Sequence, residues 1–155
     1  YAVQLLTIPF FSVLSDRVGR RPVYMGGALF SALFAFPFFM LVGTQSQPLI
    51  YIALILGISI GVAAMFGPQA AYFAELFGAR LRYSGFAFAR ELGSILAGGP
   101  APFIAASLLL YSGGQPWLVA GYFVLLSLIT AIAVYFGPET YRSDINADSA
   151  AAAKT

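Results

Sequence analysis

The chain has 155 residues, of which 60% are hydrophobic and only 9% charged, and its mean hydropathy is +0.85. A soluble domain carries about a quarter charged residues, so this chain has too little polar surface to face water on all sides. Cysteine and histidine are absent, which removes disulfides, thiol chemistry and His-based metal or acid–base sites, and the net charge of +2 says less than where the charges fall.

Five apolar segments follow one another along the chain. The first, about residues 1–14, is too short to cross a bilayer, for which about 20 apolar residues suffice. It lacks a basic leader and a small-residue cleavage site, so no signal peptide is expected and the chain reads as beginning inside a helix. Residues 23–43, 49–73, 83–111 and 117–137 are each long enough to span. The remainder, 138–155, is polar and alanine-rich without apolar periodicity, and is expected to be a disordered tail.

The connections alternate in charge. Residues 43–48 and 111–116 carry none, whereas the others hold Arg17, Arg20, Arg21, Arg80 and Arg82. Arginine-bearing loops stay on the cytoplasmic side, so the tail is expected there too, and Trp117 falls at the outer interface. The implied location is the cytoplasmic (inner) membrane, crossed several times, with the lipid bilayer as the chief partner and no nucleic acid.

Between the first two apolar segments, residues 16–21 pack one acid and three arginines around Gly19. A short basic turn of this kind, with glycine to reverse the backbone, suits a tight hairpin at the anionic membrane face. Ser12, Asp16, Arg17, Gly19, Arg20 and Arg21 together resemble the loop signature of the major facilitator superfamily: a small residue, three spacers, Asp-Arg, a spacer, then Gly-Arg-Arg. Ser12 stands where that pattern prefers glycine. The segment from Glu75 to Gly85, with Gly67-Pro68-Gln69 before it and Gly98-Gly99-Pro100 after it, is similar to the metabolite:proton symporter branch, whose members carry shikimate, 2-oxoglutarate, citrate, proline or betaine. Gly78-Ala79 replace a Pro-Thr common there.

The resemblance implies an all-α transmembrane fold: the C-terminal helical half of a twelve-helix carrier, with four complete spans and part of a fifth. It further implies a missing N-terminal half, a small organic acid or zwitterion and a proton as cargo, and a cytoplasmic network that ties helix ends together in one state and breaks in the other. Asp16, Arg17, Gly19, Arg20, Arg21, Glu75, Arg82 and Glu139 are the residues it points to for that network. For Arg80 and Arg142 a purely topological role is expected.

Arg90-Glu91 is the charged pair that lies inside a span, about 10 Å from its end at 1.5 Å per residue. Ionisable groups at such depth are costly and usually face a bundle interior or a wet cavity. Arg90 can fork onto a substrate carboxylate and Glu91 can carry a proton; equally, both can snorkel to the inner interface. Gln69 and Gln4 are lesser candidates for the same path.

Small residues recur at every fourth position in the third complete span, at Gly85, Ala89, Gly93, Ala97, Ala101 and Ala105, and Gly57 and Gly61 make a shorter stripe in the second; both point to close helix packing. Pro37, Pro68 and Pro102 mark kinks. No cofactor or metal is expected, nor catalysis, since the spans offer no Cys or His and a single acid. The alternatives to a proton-coupled metabolite carrier are a sugar or drug carrier of the same superfamily, or a non-transporting remnant of a truncated gene.

Overall fold

The computed structural model describes residues 2–76 and 82–138, and among these every regular element is a helix. The chain order is α1 (Gln4–Val18), α2 (Arg20–Gly43), α3 (Gln47–Leu56), α4 (Ala63–Leu76), α5 (Arg82–Gly93), α6 (Ala101–Tyr111) and α7 (Trp117–Phe136). A π-helical segment, Gly57–Val62, joins α3 to α4, and a second, Ser94–Gly98, lies between α5 and α6. Joined in this way the helices make four stretches long and apolar enough to cross a membrane: Arg20–Gly43, Gln47–Phe73, Tyr83–Tyr111 and Trp117–Phe136. Helices close their own backbone hydrogen bonds, which is what a lipid environment demands of a spanning segment.

Their ends follow local chemistry. Gly19 alone separates α1 from α2, at φ 118° and ψ 152°, a conformation closed to side chains with a Cβ. The basic segment expected as a loop is therefore almost wholly helical: Asp16 and Arg17 close α1, while Arg20 and Arg21 open α2. At the opposite end of the bundle α3 starts with Pro48 in its first turn, where a missing N–H costs nothing. Gly113 and Gly114, both at positive φ, turn the chain from α6 into α7.

The bundle is organised on α2, which packs on α7 and α4 above all, and also on α1, α3 and the first π segment. The buried positions belong mostly to small residues: Ala28, Ala53, Ala63 and Ala120 are fully enclosed, and Gly27 and Gly61 face α4 and α2 at contact distance. A Cβ on Gly27 would stand 2.9 Å from that of Ala64, and one on Gly61 2.6 Å from the Ser31 hydroxyl. Large apolar side chains point outward instead, with Leu5, Leu33, Leu110 and Phe136 more than three-quarters exposed. That distribution suits a bundle whose solvent is hydrocarbon, in which close backbone approach drives association.

The span Tyr83–Tyr111 stands apart. α5 leans on α4 and α6 on α7, and none of the span is buried, against 22 to 28% of the other three. Its small-residue stripe touches little: a Cβ added at Gly93 would meet nothing within 4 Å.

At Gly67 it is backbone of another helix that comes close, and a Cβ would sit 2.9 Å from the Ser12 backbone nitrogen and 3.0 Å from the Ile8 carbonyl oxygen. Backbone cannot step aside as a side chain can. Gly67→Ala should therefore destabilise the protein by about 1 to 3 kcal/mol, while Gly26→Ala, where nothing lies within 4 Å, should not. Midpoints of heat-induced aggregation in detergent, compared between the two variants, measure the difference.

Candidate functional site

Two groups of polar residues stand out, one at the arginine-bearing end of the bundle and one in an open cavity between α4 and α5. The first is built around Arg20. Because α2 restarts immediately after Gly19, Arg20 sits four residues beyond Asp16 and pairs with it across the break. Its Nη1 also donates to the Ser15 hydroxyl at 2.8 Å, and Ser15, fully buried, donates in turn to the Ser12 carbonyl at 2.7 Å. On its other side Arg20 donates from Nη2 at 3.2 Å and from Nε at 3.3 Å to Glu75 Oε1, in the last turn of α4.

The side chains of Arg20 and Glu75 are only 12% and 11% exposed, whereas that of Asp16 is 53% exposed. The Arg20–Glu75 pair is thus the screened one, and it binds elements far apart in sequence. An arginine at the start of a helix opposes the macrodipole of that helix. Here the guanidinium lies against the C-terminal ends of α1 and α4, where a cation is favoured, and Glu75 approaches the N-terminus of α2, where an anion is favoured.

Arg21 does the same for α7. Its Nη2 donates to the Tyr135 carbonyl, one of the last four of that helix and otherwise without a helical partner among the described residues, and its guanidinium lies 4.8 Å from the centroid of the Tyr135 ring. Tyr72 of α4, buried against Tyr24, donates its hydroxyl to the Pro138 carbonyl at 3.1 Å. A side chain at Gly137 would collide with that hydroxyl. Four helix ends are joined by two adjacent arginines, one glutamate and one tyrosine.

Arg17 is exposed and makes no ion pair among the described residues. Arg82 is the first residue of α5, but its side chain, like Arg80, Glu139 and Arg142, lies outside the described residues.

The second group lines a cavity of about 330 Å³ between α4 and α5, walled by Gln69, Phe73, Phe86, Ala89, Arg90, Gly93 and Ser94. The Phe73 and Phe86 rings lean together there, 6.0 Å between centroids. Helical spacing explains the set: Gln69 and Phe73 are four apart on α4, and Phe86, Arg90 and Ser94 continue at the same interval. The cavity therefore presents one guanidinium, a neutral amide and a hydroxyl against an aromatic wall. Such an arrangement can take a carboxylate on Arg90, hydroxyl or carbonyl groups on Gln69 and Ser94, and an apolar body on the rings. Glu91 and Gln4 do not line it. A separate cavity of about 300 Å³ between α2, the first π segment and α7 is walled mainly by Phe30, Phe34, Phe38 and Phe39, with the Ser31 hydroxyl as its polar group.

Ser15, Tyr72, Phe73, Phe86 and Ser94 were not singled out by sequence reasoning. For Phe86 and Ser94 a signal existed in their four-residue spacing from Arg90; Ser15 and Tyr72 acquire their partners only through the fold.

The sequence profile described as the Major Facilitator Superfamily matches residues 1–154. The chain belongs to that superfamily. It is similar to the shikimate transporter of Escherichia coli strain K12, 40% identical over 89% of this chain and 32% of the relative. The inner membrane metabolite transport protein YhjE of the same strain is 34% identical over 89% of this chain and 31% of its own length. The glycine betaine/proline/ectoine/pipecolic acid transporter OusA of Dickeya dadantii is 30% identical over 96% and 29%. The chain spans about a third of the length of these curated relatives. No solved structure matches the chain.

Burial separates the two acids that share Arg20. Glu75→Gln should cost about 1 to 3 kcal/mol, as expected for a charge-assisted bond in a mostly enclosed site, and Asp16→Asn less than about 1 kcal/mol, as for an exposed pair. Heat-induced aggregation of the two variants side by side gives the order. Equal effects would mean that the enclosed geometry of Glu75 contributes nothing.

Proposed function

We propose that the chain is part of a secondary carrier that moves a small organic acid or zwitterion together with a proton across the cytoplasmic membrane by alternating access. The observation that carries this reading is the α4–α5 cavity, in which Arg90 and Gln69, named separately from the sequence, share one space with an aromatic wall. Membership of the superfamily supplies the transport frame, and the relatives named for shikimate, glycine betaine and proline point to carboxylate-bearing metabolites. In the complete carrier this chain would form much of the C-terminal half, with the rest of the substrate site on the other half. A sugar or drug carrier of the same superfamily would keep the arginine-bearing end and differ in the residues of its cavity.

The knot at Arg20 is proposed as a gate component. Interactions present in one state and absent in the other shift the equilibrium between them by their differential energy. A screened ion pair joining α2 to α4, with Asp16 as an exposed second partner, suits that role, and Arg17, Arg82 and Glu139 are proposed to act beside it. The arginine-bearing end is assigned to the cytoplasm.

Two experiments on the full-length carrier test these assignments. Arg90→Lys should raise the KM for a carboxylate substrate about tenfold, because an ammonium cannot reproduce the planar two-bond fork, while a neutral substrate should be unaffected. Unchanged KM for every carboxylate tried would remove Arg90 from the site. For orientation, Ser46→Cys and Gly114→Cys should react with an impermeant thiol reagent added to intact cells, and Ala79→Cys should not. Labelling of position 79 from outside reverses the topology.

A further inference from the structure

Neighbours along a helix point about 100° apart. Arg90 lines the α4–α5 cavity with Phe86, Ala89, Gly93 and Ser94, and Glu91 does not line it but lies towards the side of the span that carries Phe88 on α5 and Ile95 in the π segment after it. Both of those apolar side chains are about two-thirds exposed, at 68% and 66%. Glu91 is itself exposed and has no hydrogen bond or ion pair among the described residues. It lies eight residues in from Tyr83, where the span Tyr83–Tyr111 begins, or about 12 Å along the axis. The span's 29 residues measure about 43 Å, so centred on a hydrocarbon core about 30 Å thick it places Glu91 about 5 Å inside the boundary. An acid held against acyl chains is costly, by up to about 2.5 to 3.5 kcal/mol at the centre of a span and by less towards its ends, so such groups pair with one another or face protein and water.

The span that holds Glu91 is also the one with nothing buried, against 22 to 28% of the others. The curated relatives, meanwhile, carry about two-thirds of their length outside the region they share with this chain. We infer that Glu91 pairs with an arginine or lysine on a membrane span of the same carrier that lies outside these 155 residues, making the Phe88–Glu91–Ile95 face of the span Tyr83–Tyr111 an internal interface. The inference rests on the proposal that the chain is part of a longer carrier. It divides the Arg90-Glu91 dipeptide between two tasks: Arg90 faces the cavity and Glu91 faces the partner span. A movement of that span would then be felt by α5, and so by the guanidinium one residue away.

The experiment uses the full-length carrier, purified in detergent. Each lysine or arginine in the spans outside residues 1–155 is changed to Gln, alone and together with Glu91→Gln, and the midpoint of heat-induced aggregation is read for each. One basic residue should reproduce the several-degree loss seen in Glu91→Gln, the double variant should lose no more than either single one, and exchanging the two charges should restore the midpoint. The absence of any coupled basic residue, or a wild-type midpoint in Glu91→Gln, overturns the inference. Loss of proton-driven accumulation in Glu91→Gln at an unchanged midpoint likewise overturns it, and assigns the acid to the proton instead. Failure of the unaltered carrier to take up any organic acid sinks the proposed cargo but leaves the coupling measurement readable.

Discussion

Gly19 is the constraint on which the arginine-bearing end depends. With φ at 118° it breaks the helix in a single residue, so the side chains on either side of the break stay within one another's reach. Asp16 and Arg20 meet across it as though on one helix. The same abrupt restart aims Arg20 at the end of α4 and Arg21 at the end of α7, giving three C-terminal helix ends a cation from two consecutive residues. A longer loop would free the arginines to find water, and a residue with a Cβ would not hold the backbone angle.

Away from that end, the bundle is held by backbone proximity. α1 touches α4 at Gly67, and α2 touches α4 and its π segment through Gly27 and Gly61, so these elements form one closely packed body. Gly93, Gly98 and Gly99, in the span made by α5 and α6, show no such contact with another helix among the described residues. The two halves of that span lean on different neighbours, and between them come a π segment, Gly99 and Pro100, where regular hydrogen bonding is interrupted. The cavity lies where the packed body meets this looser span: Gln69 and Phe73 come from the first, and Phe86, Arg90 and Ser94 from the second. A substrate held there would touch both.

Composition and loop charge made the spans and their alternation legible, because hydrocarbon leaves few ways to satisfy a backbone. Gly19 was legible as a turn. What could not be read was how short that turn is: α1 continues through Asp16 and Arg17, and Asp16 and Ser15 both meet Arg20 across the break. The contact of Arg21 with Tyr135 links positions 114 apart and has no local signature. Gln69 and Arg90 were each visible as polar residues in apolar helices, but that they share a cavity is a matter of how α4 meets α5. The first π segment, Gly57–Val62, left no mark beyond its two glycines, which also serve ordinary packing.

The central claim is that the Arg20 knot ties helix ends in one state of the carrier and releases them in another. Val18 and Phe136, both exposed at the ends of α1 and α7, are suitable sites for spin labels in the full-length protein. Pulsed electron spin resonance between them, with and without substrate, should give two distances whose proportions substrate changes, and Glu75→Gln should enrich the longer one. A single distance, indifferent to both substrate and Glu75→Gln, would contradict the account and leave the arginines as anchors of a static bundle.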